Sequence, residues 1–196
     1  KYIRPIIKIC LAISIVLLSS CLGEDADNCS PATSEISVLL KCDINTTGTD
    51  VFTSVVKHVD LYVYNEAGML QHEEHLTKQQ LEEEEYIHSL SLTHGNHILV
   101  AWMNTSDEYE ITGTAQLQTA RLMLKCGETG EVTSDTEPIY HGSSTLTVNR
   151  ENKIVTVHMM KNTNYITLTT RFNRTLPQSV SIHTYITGTN GHYNFE

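Results

Sequence analysis

From Ser34 onward, short apolar segments alternate with polar turns at a spacing that suits strands. Residues 35–42 are apolar and partly β-branched. Residues 58–64 alternate cleanly: Val59, Leu61 and Val63 share one face, and Asp60, Tyr62 and Tyr64 share the other. Asn65-Glu-Ala-Gly68 predicts a turn, with glycine where a positive φ costs little. Residues 69–72 then return as the hairpin partner. Residues 79–85 carry four consecutive glutamates, Glu82 to Glu85, and read as a solvated loop or a single helical turn. Residues 86–92 form a strand and 93–96 a turn. Residues 97–103 form the next strand, with Ile98, Val100 and Trp102 on one face. Trp102 is the only tryptophan, and that face marks the heart of the core. Residues 120–125 fit a strand or a short helix equally. Residues 139–142 lead into a strand at 144–148, and 153–160 form another. Short strands at this spacing predict an all-β sandwich over residues 34–160.

A boundary falls at 161–164. Beyond it, residues 165–172 start a new alternation, with Ile166, Leu168 and Phe172 on one face. Val180, Ile182, Thr184 and Ile186 alternate next. Asn190-Gly191 is a strong hairpin signal, and residues 192–196 begin a returning strand. Two or three strands cannot bury a core alone, so 161–196 is expected to be the start of a second β domain, cut short.

Ahead of the strands, Lys1, Arg4 and Lys8 make a positive end, and residues 6–18 are nearly all apolar. This run is too short to span a bilayer comfortably, which takes about 20 apolar residues, and it fits a signal peptide over 1–20. Leu18-Ser19-Ser20-Cys21 resembles the lipobox of bacterial lipoproteins. That resemblance implies cleavage between Ser20 and Cys21 and a diacylglycerol on the Cys21 sulfur. Several acyl chains, at about 0.8 kcal/mol per buried methylene, hold such a protein to a membrane for good. Residues 21–33 are then a flexible tether. Its acidic start, Glu24, Asp25 and Asp27, is similar to the export tag that sends lipoproteins of the Bacteroidetes to the outer cell face; a plain solvated tether accounts for it equally.

Composition changes this picture little. The formal charge is −10, and loss of the leader leaves 10 basic residues against 23 acidic, about −13. Such a surface argues against a nucleic-acid partner, which needs a basic footprint. Cys29, Cys42 and Cys126 remain after processing, and a Cys29–Cys42 bridge would close a short loop worth about 3 kcal/mol; the sequence leaves the pairing open. Without a Cys-x-x-Cys pair, no structural zinc site is expected. Among the 10 histidines, His72-Glu-Glu-His75 is the densest group. It is not the His-Glu-x-x-His pattern of zinc peptidases, and positions three apart on a strand face opposite ways. Solvated surface is the expectation there, a polar rim for His88, His94 and His97, and a turn with a packed ring for His141. No Gly-x-Ser-x-Gly elbow or phosphate loop occurs, so no catalytic residue, metal ligand or small-molecule substrate is expected, and no cofactor beyond the covalent lipid on Cys21.

His58-Val-Asp-Leu-Tyr-Val-Tyr-Asn-Glu-Ala-Gly68 and Gly95-Asn-His-Ile-Leu-Val-Ala-Trp-Met-Asn104 resemble motifs of the FimB-type fimbrial anchor and assembly lipoproteins of the Bacteroidetes, the fimbrillin-A associated anchor proteins. Residues 120–125, 137–142 and 155–166 continue the likeness in order. The resemblance implies transthyretin-like β-sandwich domains with an immunoglobulin-like Greek key, and a role in anchoring fimbriae or assisting their assembly and length control. It also implies residence on the outer membrane through the lipid, and a shaft subunit as partner by strand addition. A fimbrial tip or accessory subunit, or a glycan-binding surface lipoprotein using Tyr62, Tyr64, Tyr86 and Tyr109, are the alternatives.

Overall fold

The computed structural model describes residues 31–132, 135–151, 153–175, 177, 179–188 and 191–196. The leader, Ser20, Cys21 and Cys29 lie outside the described residues, as do most of the tether and Asn190.

Ten strands and two short helices follow one another: β1 (Thr33–Ile44), α1 (Phe52–Val55), β2 (His58–Asn65), β3 (Leu70–Thr77), α2 (Lys78–Glu83), β4 (Ile87–Thr93), β5 (Gly95–Met103), β6 (Tyr109–Thr112), β7 (Arg121–Leu124), β8 (Tyr140–Val148), β9 (Lys153–Lys161) and β10 (His192–Asn194). Seven strands form one sheet in the order β3-β2-β5-β8-β9-β1-β4, and β10-β7-β6 form a second. The fold is an all-β, transthyretin-like sandwich. β1 runs parallel to β9 and antiparallel to β4. β3 and β4 are opposite edges of the large sheet, yet Glu74 on β3 and His88 on β4 approach to 3.0 Å. The sheet therefore folds over on itself and encloses one core.

That first core takes Ile36, Val38, Leu40 and Cys42 from β1, Val59, Leu61 and Val63 from β2, Leu99, Ala101 and Met103 from β5, and Val155, Val157 and Met159 from β9. Each set is every second residue of its strand, the period that puts side chains on one face. The outer face of β2 and β5 is not left to solvent. Tyr62, Tyr64, Val100 and Trp102 pack there with Tyr109, Leu117, Ala120, Leu122, Ile139 and Phe195, beneath the small sheet. Trp102 thus centres a second core, on the side opposite the first.

Local chemistry explains the departures from the sequence-based expectation. The segment around the glutamates is a helix, α2, because Thr77 and Gln80 form a reciprocal capping box at its start and Leu81 is buried. Glu85 and Tyr86, both at positive φ, end it, and Tyr86 packs edge-on against Phe52 with ring centroids 6.1 Å apart. Residues 120–125 resolve to a strand, since β6 supplies a partner. Residues 165–172, expected as a strand, carry none, and Tyr165, Ile166, Leu168 and Phe172 are exposed; the described part of 180–186 is likewise without a strand. Apolar alternation needs a partner sheet to bury against, and none is formed there among the described residues. The strand expected after Gly191 does form, but it pairs with β7. The Asn65–Gly68 turn is as expected, with Gly68 at φ 74°.

Gly142 marks a close approach of backbones. A methyl group on its Cα would lie 2.5 Å from the His158 carbonyl oxygen, beside the Tyr140–Lys161 and His141–Met160 pairs that join β8 to β9. Gly142→Ala must push the two strands apart, and a loss of about 1–3 kcal/mol is expected in urea melts. Unchanged stability would show that the ladder yields there.

Candidate docking edges and histidine clusters

The strand addition that the family resemblance implies would need an accessible edge. The start of β3 is covered: Leu70 N–H donates to the Ala115 carbonyl at 3.1 Å, and Leu117 N–H donates to the Gly68 carbonyl at 2.8 Å. The rest of β3 is polar, which discourages unwanted pairing. His72 and Glu74 point to one side and Glu73 and His75 to the other, as the strand period requires. In the small sheet, β7 is central, with β6 on one side and β10 on the other.

The histidines sort into separate groups. Glu74 accepts from His72 at 3.1 Å and from His88 Nε2 at 3.0 Å, while His88 Nδ1 lies 2.7 Å from Glu84. His88 is buried, with a carboxylate at each ring nitrogen. The expected polar rim is thus, at His88, a clasp that ties β3 and α2 to β4. His94 sits 3.0 Å from Ser34 Oγ, and buried His97 is 2.8 Å from the Thr93 carbonyl, so His88, His94 and His97 do not converge. On the other side of β3, His75 Nδ1 and Thr105 Oγ1 meet Asp60 at 2.6 and 2.5 Å. His141 lies within β8, not in a turn, and stacks on Trp102 with centroids 4.3 Å apart. Burial lowers its pKa, partly offset by a hydrogen bond with the Phe195 backbone. Imidazoles and carboxylates are turned on one another, and among the described residues no group of three or more His, Cys, Asp or Glu could hold a metal ion.

Among the described residues Cys42 and Cys126 form no disulfide; Cys42 is buried in the first core and Cys126 is exposed. Burial, with Asp50 and Asp43 adding to it, pushes the Cys42 thiol up to about 12. Tyr62, Tyr64 and Tyr109 are buried and Tyr86 is packed on Phe52, so the four tyrosines pack and do not make an exposed aromatic platform. Asn104 is buried too: it accepts from Lys57 N–H at 2.8 Å and donates to the Val55 carbonyl at 2.9 Å.

The clasp was visible in principle: His88 occupies an inward phase of β4 shared with Leu90 and Leu92, where an ionisable residue needs a partner. The identity of its partners was not, since Glu74 comes from a distant strand. Phe195 is the other residue the sequence left unassigned. It is fully buried, 5.0 Å by ring centroid from Tyr62 and 5.8 Å from Trp102.

The folded-over large sheet and the small sheet that covers it define an all-β sandwich. The model of the family of fimbrillin-A associated anchor proteins Mfa1 and Mfa2 matches residues 26–196, and the chain belongs to that family. Its fold is shared with a candidate polysaccharide-binding protein from Bacteroides thetaiotaomicron (TM-score 0.60, 23% identity, 65% of this chain and 47% of that one). It is shared with the fimbrial anchor protein Mfa2 from Porphyromonas gingivalis (TM-score 0.57, 15% identity, 66% and 51%). A candidate adhesin from Bacteroides ovatus is similar again (TM-score 0.56, 23% identity, 66% and 46%). The chain spans about half the length of these solved structures. No curated protein matches it in sequence.

Two tests follow from the buried groups. Burial works to raise the Glu74 pKa, but hydrogen bonds from His72 and His88 and their charge outweigh it and hold the group below its ordinary 4.5. A lowered carboxylate stabilises the fold above its unfolded pKa and loses that contribution as pH falls through the folded value. The stability gap between wild type and Glu74→Gln should therefore be full near neutrality and shrink as pH drops below about 4.5; a gap that stays constant in urea melts under acid contradicts the clasp. In native protein, iodoacetamide should label Cys126 and leave Cys42 until denaturant is added. Mass spectrometry of the labelled peptides reads this directly, and native labelling of Cys42 would mean that β1 opens.

Proposed function

We propose that this chain is a cell-surface lipoprotein that anchors fimbriae, or assists their assembly and length control, at the bacterial outer membrane. The family match over residues 26–196 carries the reading. The lipobox-like Leu18-Ser19-Ser20-Cys21 supports lipid on Cys21 after cleavage behind Ser20. The acidic residues after it suit a tether facing outward. Lipid fixes the base, and a shaft subunit joins by strand addition, in which main-chain pairing gives affinity and side-chain pockets give specificity. The domain limits proposed are a leader at 1–20, a tether at 21–33, a first sandwich at 34–160 and the start of a second at 161–196, from which β10 reaches back to pair with β7. No enzymatic step is assigned. The glycan-binding alternative loses its support with the burial of Tyr62, Tyr64 and Tyr109.

The deciding experiment is Cys21→Ala in the native gene, with fimbriae counted on cells and in the medium by electron microscopy. Shed fimbriae, or fimbriae of altered length, are expected. Fimbriae that stay on the cell at normal length would refute a lipid-held anchor.

A further inference from the structure

The strands β9, β1 and β4 at one end of the large sheet turn an outer face to solvent, opposite the first core. Every second residue points to it. Near its middle each strand sets one large apolar residue beside one small hydroxyl residue: Leu39 beside Ser37, Ile87 beside Ser89, and Ile154 beside Thr156. Ile154 is 71% exposed and Ile87 43%. Apolar residues scattered singly over a surface need no account, but these three follow one pattern.

The strand registers align that pattern. Leu39 pairs with Ile87 and Thr156, and Ser37 pairs with Ser89 and Ile154. Between these two rows runs the inward-facing row of Val38, opposite His88 and Val155. A two-fold axis laid over the Val38 row brings each row of one copy onto the other row of a second copy. Leu39 then lies over Ser37, Ile87 over Ser89 and Ile154 over Thr156, and the reverse, so a large side chain meets a small one at every position. The same operation sets Glu35 against Lys41. Within one copy these two are six residues apart, about 20 Å along a strand, and cannot pair. Asp43, the acidic neighbour of Lys41 on that face, is engaged by His158 at 2.8 Å.

We propose that the β9-β1-β4 face is a self-association surface: two copies of this chain pack it face to face with their β1 strands antiparallel. The contact is isologous, so each residue pair occurs twice. Leu39, Ile87 and Ile154 are its apolar centre, and a Glu35–Lys41 pair closes each end. Its footprint is small. Three strands, each seven residues long, cover roughly 14 Å by 23 Å, well short of the about 800 Å² that each partner gives a standard interface. Pairing is therefore weak and suits copies crowded together on a surface. The end charges add little affinity but select the antiparallel register. No strand edge takes part, and the inference stands apart from the anchoring role.

The test uses full-length copies bearing two different tags after Glu196, on the small-sheet side of the fold. Both are expressed in the same cells, fixed with formaldehyde and captured by one tag. Unaltered copies should carry the second tag along. Glu35→Lys on both copies sets two like charges together at each end, and so does Lys41→Glu on both. Each should lower recovery of the second tag roughly tenfold. Glu35→Lys on one copy with Lys41→Glu on the other restores opposite charges at both ends, and recovery should return to that of the unaltered chain. Equal recovery in all four pairings overturns the proposal, because edge-to-edge contact or mere crowding ignores these charges. A mixed pairing as poor as the like-charged ones overturns it too, as does no recovery with unaltered copies. Should a charge variant fail to accumulate, Ile154→Asp decides, at a position open enough to leave the fold intact. It sets a carboxylate into the apolar centre and should lower recovery roughly tenfold; unchanged recovery overturns the face.

Discussion

Burial of β2 and β5 on both faces is the constraint on which the rest of the structure depends. From Leu61 to Tyr64 and from Leu99 to Met103 every residue is buried, so no face of these strands can be turned to water. One face carries branched aliphatic residues and closes the folded-over large sheet. The other carries tyrosines, Val100 and Trp102, and obliges the chain to supply a cover. The small sheet, Leu117, Ala120 and Ile139 are that cover. A two-sided strand of this kind cannot be an edge, because its backbone would then be exposed beside apolar side chains; β3 and β8 flank the pair and remove that hazard.

With the centre fixed, polar chemistry moves to the rims. Glu74, His88 and Glu84 tie one rim where the large sheet folds over, and Asp60 gathers His75 and Thr105 at another place on β2 and β3. Asn104, at a positive φ of 64°, fastens the chain around α1 to the end of β5. These groups stabilise by pairing with one another, which explains why a chain so rich in histidine and carboxylate carries no convergent catalytic arrangement among its described residues.

Much of the architecture could be read from residue order. The alternation of Val59, Leu61 and Val63 fixed the inward face of β2, and Asn65 to Gly68 announced the hairpin. The family motifs at 58–68 and 95–104 turned out to hold β2 and β5, the strands buried on both faces, which is why they are the most legible part. What was missed has a common cause. β6 is four residues long, too short for its alternation of Tyr109 and Ile111 with Glu110 and Thr112 to stand out. The helix α2 was hidden by its glutamates, although Thr77 and Gln80 spell a capping box. Residues 165–186 alternate as a strand would, yet alternation states only what a segment could bury, not whether a partner is present. The second core around Trp102 depends on β2, β5, β7 and β10 meeting, a relation between distant segments that no local pattern contains. The proposed lipid site is the reverse case: Ser20 and Cys21 are read from sequence alone, outside the described residues.

The parallel pairing of β1 with β9 has a consequence for the order of events in the cell. His158 reaches Asp43 across 115 residues of chain, and the β1–β9 ladder joins the first strand of the sandwich to the ninth. Contacts so far apart in sequence form late and slowly, because the whole intervening loop must be ordered first. A chain emerging from the ribosome cannot close its first core until β9 has been made. Its first core therefore remains open for most of its synthesis.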